Sequence, residues 1–376
     1  MRELPGTPSQ ATAPNAADGI LPAQDLLAQI GHAILVSEPL RDDQVQPASL
    51  DLRLGPKAYR VRASFLPGAS ATVADRLAHF AMHEMDIASG GVLEKGCVYI
   101  VPLMESLRLP PGLSAIGNPK SSTGRIDVFT RLITDHGVEF DRVRDGYRGP
   151  LYAEISPRTF SVLVRKGTRL SQLRVRRGAS TASDLELRRL QDEHRLVDRD
   201  LTDEEIRNGV PITVDLGREL ADGVIGYRAK SHAGLIDLDR VGHYDWRDFW
   251  DPVSAPRTHG LILDPSEFYI LASKEAVRVP PGHAAEMIAF DTLVGEFRVH
   301  YAGFFDPGFG HPSAGGEGSR AVLEVRSYEV PFVIQDGQVV GRLVYERLTS
   351  PPERLYGVGL KSNYQQQGLR LSKHFR

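Results

Sequence analysis

A stretch that returns 170 residues later limits what this chain can fold into more than any other feature. "VYIVPLMESLRLPPG" at 98–112 matches "FYILASKEAVRVPPG" at 268–282 at Tyr99/Tyr269, Ile100/Ile270, Glu105/Glu275, Arg108/Arg278 and the whole Pro-Pro-Gly turn. The same offset carries Glu154 of "YAEISPRTFSVLVRKGTRLSQL" onto Glu324 of "VLEVRSYEVPFVIQDGQVVGRL", then Gly167 onto Gly337 and Leu173 onto Leu343. One register held over that span is the mark of a duplicated domain. Between the matching blocks the register slips: "DGYRG" begins at 145, whereas "DPGFG" begins at 306, and the Gly-rich "HPSAGGEGS" restores the count before Glu324. Strands have kept their length while loops have diverged.

The duplicated blocks are short runs rich in Val, Ile, Tyr and Phe, punctuated by 36 Gly and 25 Pro. Such runs at close spacing predict a mainly β protein, a sandwich or barrel, rather than a βαβ array. Helical patterns are few: "AADGILPAQDLLAQIGHA" near the start, "ATVADRLAHFAMHEMDIAS" at 71–89, and the charged "TASDLELRRLQDEHRLVDRDLTDEEIRNG" at 181–209. The last has no strand pattern and reads as the connection between the two copies. At 376 residues the chain has material for two cores.

Charge and cysteine content exclude several classes. Lys plus Arg number 45 against 48 Asp plus Glu, a net charge of −3. A surface that coats polymeric nucleic acid is therefore not expected, and a nucleic-acid ligand should be small. The single Cys97 rules out an intrachain disulfide framework and fits a reducing compartment. No signal pattern opens the chain and no stretch is long enough to span a bilayer, so a cytoplasmic protein without membrane partners is expected.

"NPKSSTGRID" at 118–127 gathers a Pro, two cations, three hydroxyls and a Gly. It can cradle an anion, cap a helix or serve as a polar turn. It is no P-loop, because the Lys precedes the hydroxyls instead of following a second Gly. "GVGLKS" at 357–362 lacks the third Gly of a dinucleotide fingerprint. A zinc deaminase site of the H-x-E…P-C-x-x-C type is impossible with one Cys. His79 and His83 are four apart in a predicted helix, with no third ligand nearby. A G-x-S-x-G elbow is absent. In "GPLYAEISPRTF", alternation puts Tyr152 and Glu154 on one face. That carboxylate is an edge charge, an ion-pair partner or a catalytic base.

Taken together, "QPASLDLRLG" (46–55), "PPGLSAIGNPKSSTGR" (110–125), "DGYRGPLYAE" (145–154) and "SNYQQQGLRLSK" (362–373) resemble, in content and order, the dCTP deaminases of the trimeric dUTPase-like superfamily. The resemblance implies two tandem dUTPase-like distorted β-barrel or jelly-roll domains with a few helices. It implies a first domain over 1–180 carrying the active site, a charged helical linker over 181–210, a degenerate second domain over 211–350 and a nucleotide lid over 351–376. It places Ser121, Arg125 and Glu154 in the site, with Lys120 and Ser122 on the triphosphate and Thr134, Asp135 and His136 by the base. Tyr364, Gln365, Gln367 and Gly368 belong to the lid. The implied reaction is zinc-independent hydrolysis of dCTP to dUTP and ammonia, with Glu154 activating water for attack on C4.

Mg²⁺ is expected on the triphosphate, no metal on the protein itself. The resemblance further implies a homotrimer and dTTP as a candidate regulator. Lys120 stands where the family has Arg, a point charge in place of a fork. Opposite "KSSTGR", the second copy has "FDTLVG" at 290–295, both cations gone. The second copy is therefore expected to be catalytically dead although Glu324 survives. Rival readings are a dUTP pyrophosphatase, which the broken string "GVEFDRVRDGYRG" disfavours, a bifunctional enzyme, and a nucleotide-binding protein without turnover.

Overall fold

The computed structural model describes residues 17–217, 223–255, 260–289, 297–300, 303–327, 329–358 and 368–376. In both halves the Pro-Pro-Gly turn joins a long strand to its return. Val98–Arg108 leads to Leu113–Pro119, and Phe268–Val277 leads to His283–Ala289. Gly112 takes φ +88° there, in the left-handed region that suits a residue without a Cβ.

The two halves share one strand order. In the first, an antiparallel sheet runs Val128–Thr134, Arg148–Pro157, Val98–Arg108, Lys57–Val61, Ala81–Asp86; in the second, Phe297–His300, Ser319–Ser327, Phe268–Val277, Val224–Ala229, Trp250–Ser254. The facing sheets match likewise: Arg142–Val143, Leu113–Pro119, Arg169–Arg177, Ser49–Arg53 against Phe304–Phe305, His283–Ala289, Val339–Arg347, Val210–Thr213. Register is conserved to the residue. Leu93 pairs with Val162 as Leu263 does with Phe332, and Glu154 lies opposite Ile100 as Glu324 lies opposite Ile270. The chain is therefore two tandem dUTPase-like β-barrels, as the repeat implies.

Each barrel buries the same acid beneath its sheets. Glu105 accepts from the Arg53 backbone N–H at 2.7 Å and pairs with the Arg53 guanidinium at 2.7 Å. Its counterpart Glu275 accepts from Thr213 N–H and Oγ1 at 2.8 Å and from Arg199 Nε at 3.1 Å. Partnered in this way, a buried carboxylate is tolerated where an orphan would cost several kcal/mol, on the order of 3–5.

The barrels are fused, not strung apart. Tyr99, Ala153 and Phe160 of the first share one apolar core with Ile236, Trp250, Phe268 and Val322 of the second. Trp250 meets Phe160 edge-on at 5.5 Å. Ile236–Asp237 adds a parallel strand to Val162–Val164. Polar groups staple the same boundary. Arg174, fully buried, donates to the carbonyls of Ala285 and Phe305 at 2.8 Å each and lies 3.9 Å from the Phe304 ring centre.

All three predicted helices are shorter than expected, the first running only over Ala23–Ala28. The 71–89 stretch is helical only over Val73–Phe80, opened by a Thr72/Asp75 capping box. Ala81–Asp86 then runs as a strand beside Lys57–Val61, so His79 and His83 do not share a helical face. The alternation in "AMHEMD" and the Lys57–Glu84 ion pair at 2.7 Å decide that segment. The charged connection is helical over Asp184–His194, with Ser183 as N-cap, and ends at Arg195 with φ +49°. Leu187 and Leu190 sink into the second barrel's core, so the helix is part of that barrel rather than a spacer. No helix among the described residues is long and apolar enough to cross a membrane.

Candidate active site

Pro119 closes a strand, and Ser121–Gly124 then makes a single helical turn, with Thr123 N–H on the Lys120 carbonyl at 2.8 Å and Arg125 N–H on Ser121 at 3.1 Å. Four residues apart, Ser121 and Arg125 project from one face. Arg125 Nε donates to Ser121 Oγ at 3.1 Å. The guanidinium is 2 % exposed, and its Nη1 donates to the Arg370 carbonyl at 2.9 Å. Ser122 is buried, and its carbonyl accepts from Ser372 Oγ at 2.9 Å. The C-terminal residues thus fold back over the turn, held by Phe375 among Tyr244, Phe249 and Trp250.

The acid that meets this pair is not the expected one. Ser121 and Arg125 line a cavity with Glu324, Phe304, Phe305 and Asp306, all four from the second barrel. Within the chain, Glu154 does not line this cavity with Ser121 and Arg125. The turn of one barrel faces the strand of the next, so equivalence by sequence does not mean proximity. Glu324 is 3 % exposed. Burial pushes its carboxyl up to about 8, while Arg125 pulls it down and Asp127 pushes it up.

Glu154 sits under the segment that joins Lys57–Val61 to Ala81–Asp86. Burial raises its carboxyl, and Ser64, Arg131 and the Phe65 backbone draw it back. Its Oε2 has no hydrogen-bond partner. Phe65 stacks on Phe80 at 5.7 Å, and Phe65, Leu77 and Tyr152 close an apolar cluster around Val73 and Ile133. Of Thr134, Asp135 and His136, expected at the base, the last two bond this segment. Asp135 Oδ1 accepts from Val73 N–H at 2.8 Å, and His136 N–H donates to the Ala71 carbonyl at 3.0 Å. Thr134 is buried on the same strand, whose Ile133 pairs with Tyr152. None of the three lines the cavity that holds Glu324.

Beside the turn lies a cationic group. Lys120 pairs with Asp51, which also sits 3.4 Å from Arg169, and Arg169 reaches Asp43 at 2.6 Å. Burial pushes the Lys373 ammonium down, helped by Lys120 and Arg169. Three cations thus converge next to a backbone turn rich in N–H groups, a setting for polyphosphate. Lys373 and Arg169 were not singled out from the sequence; the Ser-Lys pair at the end of "LRLSK" was the available signal. Of the expected lid residues, Gly368 is exposed, whereas Tyr364, Gln365 and Gln367 lie outside the described residues, as does 290–295. A larger open cavity of about 630 Å³ occurs between Arg188, Asp203, Glu205 and Arg342, but its arginines already bond the Asp203 and Glu205 carbonyls at 2.9 and 2.8 Å.

Comparison with known proteins identifies the family. The N-terminal domain profile of 2′-deoxycytidine 5′-triphosphate deaminase matches residues 17–179, and the C-terminal domain profile matches 183–375. The crystal structure of 2′-deoxycytidine 5′-triphosphate deaminase from Agrobacterium tumefaciens superposes with a TM-score of 0.84 at 56% identity, covering 88% of this chain and 99% of that one. The dCTP deaminase of Halorubrum lacusprofundi is 33% identical over 159 residues, 41% of this chain and 75% of the relative. The "dCTP deaminase, dUMP-forming" of Methanosphaera stadtmanae is 27% identical over 178 residues, 46% of this chain and 83% of the relative. With both domain profiles matched in order across two β-barrels, the chain belongs to the 2′-deoxycytidine 5′-triphosphate deaminase family.

Proposed function

We propose that the chain hydrolyses dCTP to dUTP and ammonia in a site shared by its two barrels, with Ser121 and Arg125 from the first and Glu324 from the second. The observation that carries this is the buried Glu324 on the same cavity wall as the Arg125–Ser121 pair. Water adds through oxygen to C4 while the Glu324 carboxylate takes one of its protons and hands it to N3. The second proton passes by the same carboxyl to the 4-amino group, the C4–N4 bond breaks, and ammonia leaves with C4 as a carbonyl. Arg125 offsets the charge on the carboxylate as it forms, and Ser121 holds the water or the tetrahedral oxygen. Lys120, Arg169 and Lys373 take the triphosphate. Mg²⁺ enters with the nucleotide, held through its phosphates, while Asp43 and Asp51 are already bonded to cations. A trimer of chains and dTTP regulation go with the family reading, and light scattering with and without dTTP tests both.

The deciding experiment follows ammonia and nucleotide products from dCTP in Glu324→Gln and Glu154→Gln. Glu324→Gln should lose deamination by about 10³-fold, and Glu154→Gln should stay within a few-fold of the parent. Loss in Glu154→Gln alone would place the working site between different chains. Formation of dUMP and pyrophosphate would assign the bifunctional reading.

A further inference from the structure

Arg326 lies two residues beyond Glu324 on one strand, so both project to the same side of it. Asp127 lies two residues beyond Arg125. The pairs therefore cross the barrel boundary side by side with opposite polarity: Arg125 beside Glu324, and Asp127 bonded to Arg326. Asp127 is 1 % exposed and holds φ +55°, unusual for a residue with a side chain. Its Oδ2 accepts from Thr159 Oγ1 at 2.5 Å as well as from Arg326 Nη2, and Arg326 Nη2 also donates to Thr159 at 2.9 Å. Arg326 Nη1 donates to the Ser266 carbonyl.

The fold does not require the arginine. Arg326 corresponds to Ser156, yet the equivalent strand Arg148–Pro157 pairs in the same register. Val128 faces Pro157 as Phe297 faces Ser327, so Asp127 corresponds in sequence to Glu296, and it is the arginine that distinguishes the copies. The geometry assigns Asp127, Arg326 and Thr159 as positioning residues that lock the Glu324 strand to the Ser121–Arg125 turn and hold the acid at its working distance from the guanidinium. This rests on the deaminase reading above. None of the three lines the cavity, so they act through Glu324 and Arg125. The groups facing Glu324 are Arg125 and Asp127 from the turn and Asp306 and Tyr356 on the cavity wall; on the neighbouring strand its backbone register partner is His300.

The test is the pH profile of kcat/KM for dCTP in Asp127→Asn and Arg326→Gln, beside the parent. Losing the Asp127 charge should move the limb attributed to Glu324 to lower pH; losing Arg326 leaves Asp127 unbalanced and should move it higher. In both, kcat should fall about 10–100-fold with KM within a few-fold, and Arg326→Lys should restore the limb. Lower melting temperatures with an unmoved limb would make the clamp structural and overturn the assignment. Should the charge variants not fold, Thr159→Val decides: a several-fold drop in kcat at constant KM supports the clamp, and a parental kcat refutes it. An inactive Glu324→Gln with unmoved limbs in the clamp variants sinks only the clamp; an active Glu324→Gln sinks the base assignment itself.

Discussion

Glu324→Gln should remove activity and make the protein more stable, and the size of that gain should depend on pH. Burial raises the Glu324 carboxyl from its ordinary 4.5 to about 8. Between those values the folded chain keeps a proton that the unfolded chain releases. Stability from this group is therefore complete below about pH 4.5 and is lost as pH climbs through about 8. At about 1.4 kcal/mol per pH unit, the loss reaches at most about 5 kcal/mol, less whatever relaxation of the site recovers. Gln has the same shape and no charge to expose, so it escapes the loss. For a chain of this size the ceiling corresponds to up to about 6 °C in Tm. Thermal unfolding of parent and variant, measured at half-unit steps from pH 5 to 9, should give coincident Tm values at the acid end and a gap that widens to a plateau above pH 8. Parallel curves, or a less stable variant at pH 9, would mean that Glu324 rests ionised and paired, and the buried neutral acid would be wrong.

The same raised carboxyl predicts that kcat/KM for dCTP climbs about tenfold per pH unit below 8 and levels off above it, because the base must be ionised to accept the water proton; a stopped ammonia assay across pH checks this. Arg174→Met should lower the unfolding free energy by about 3–5 kcal/mol in urea, since it takes away the cation 3.5 Å from buried Asp306 and frees the Ala285 and Phe305 carbonyls, while Glu346 keeps Arg176 at 2.8 Å. Lys120→Ala should raise KM for dCTP at least tenfold with little change in kcat, and a KM unchanged from the parent would remove Lys120 from triphosphate binding.

The repeat told the architecture faithfully, because strand length and the Pro-Pro-Gly turn survive duplication while loops drift. Leu93 with Val162 and Leu263 with Phe332 pair at the same offset found by comparing strings. What the strings could not tell was which copy faces which. Glu154 and Glu324 occupy equivalent strand positions, and only the packing of the 120–127 turn against the following barrel distinguishes them. One trace was available: Arg326 is a charge where the other copy has Ser156. The segment over Glu154 was misread in part because an amphipathic pattern across 71–89 hides a change of period at Phe80.

Because the turn and the acid that faces it lie on one polypeptide, their encounter is intramolecular and does not weaken on dilution. Activity per milligram should hold as the protein is taken to concentrations at which separate subunits would part. Joining the barrels also releases each from keeping a whole catalytic set. On the proposed reading, one half can lose its cations and the other can bury its acid, leaving a single working pocket within each chain.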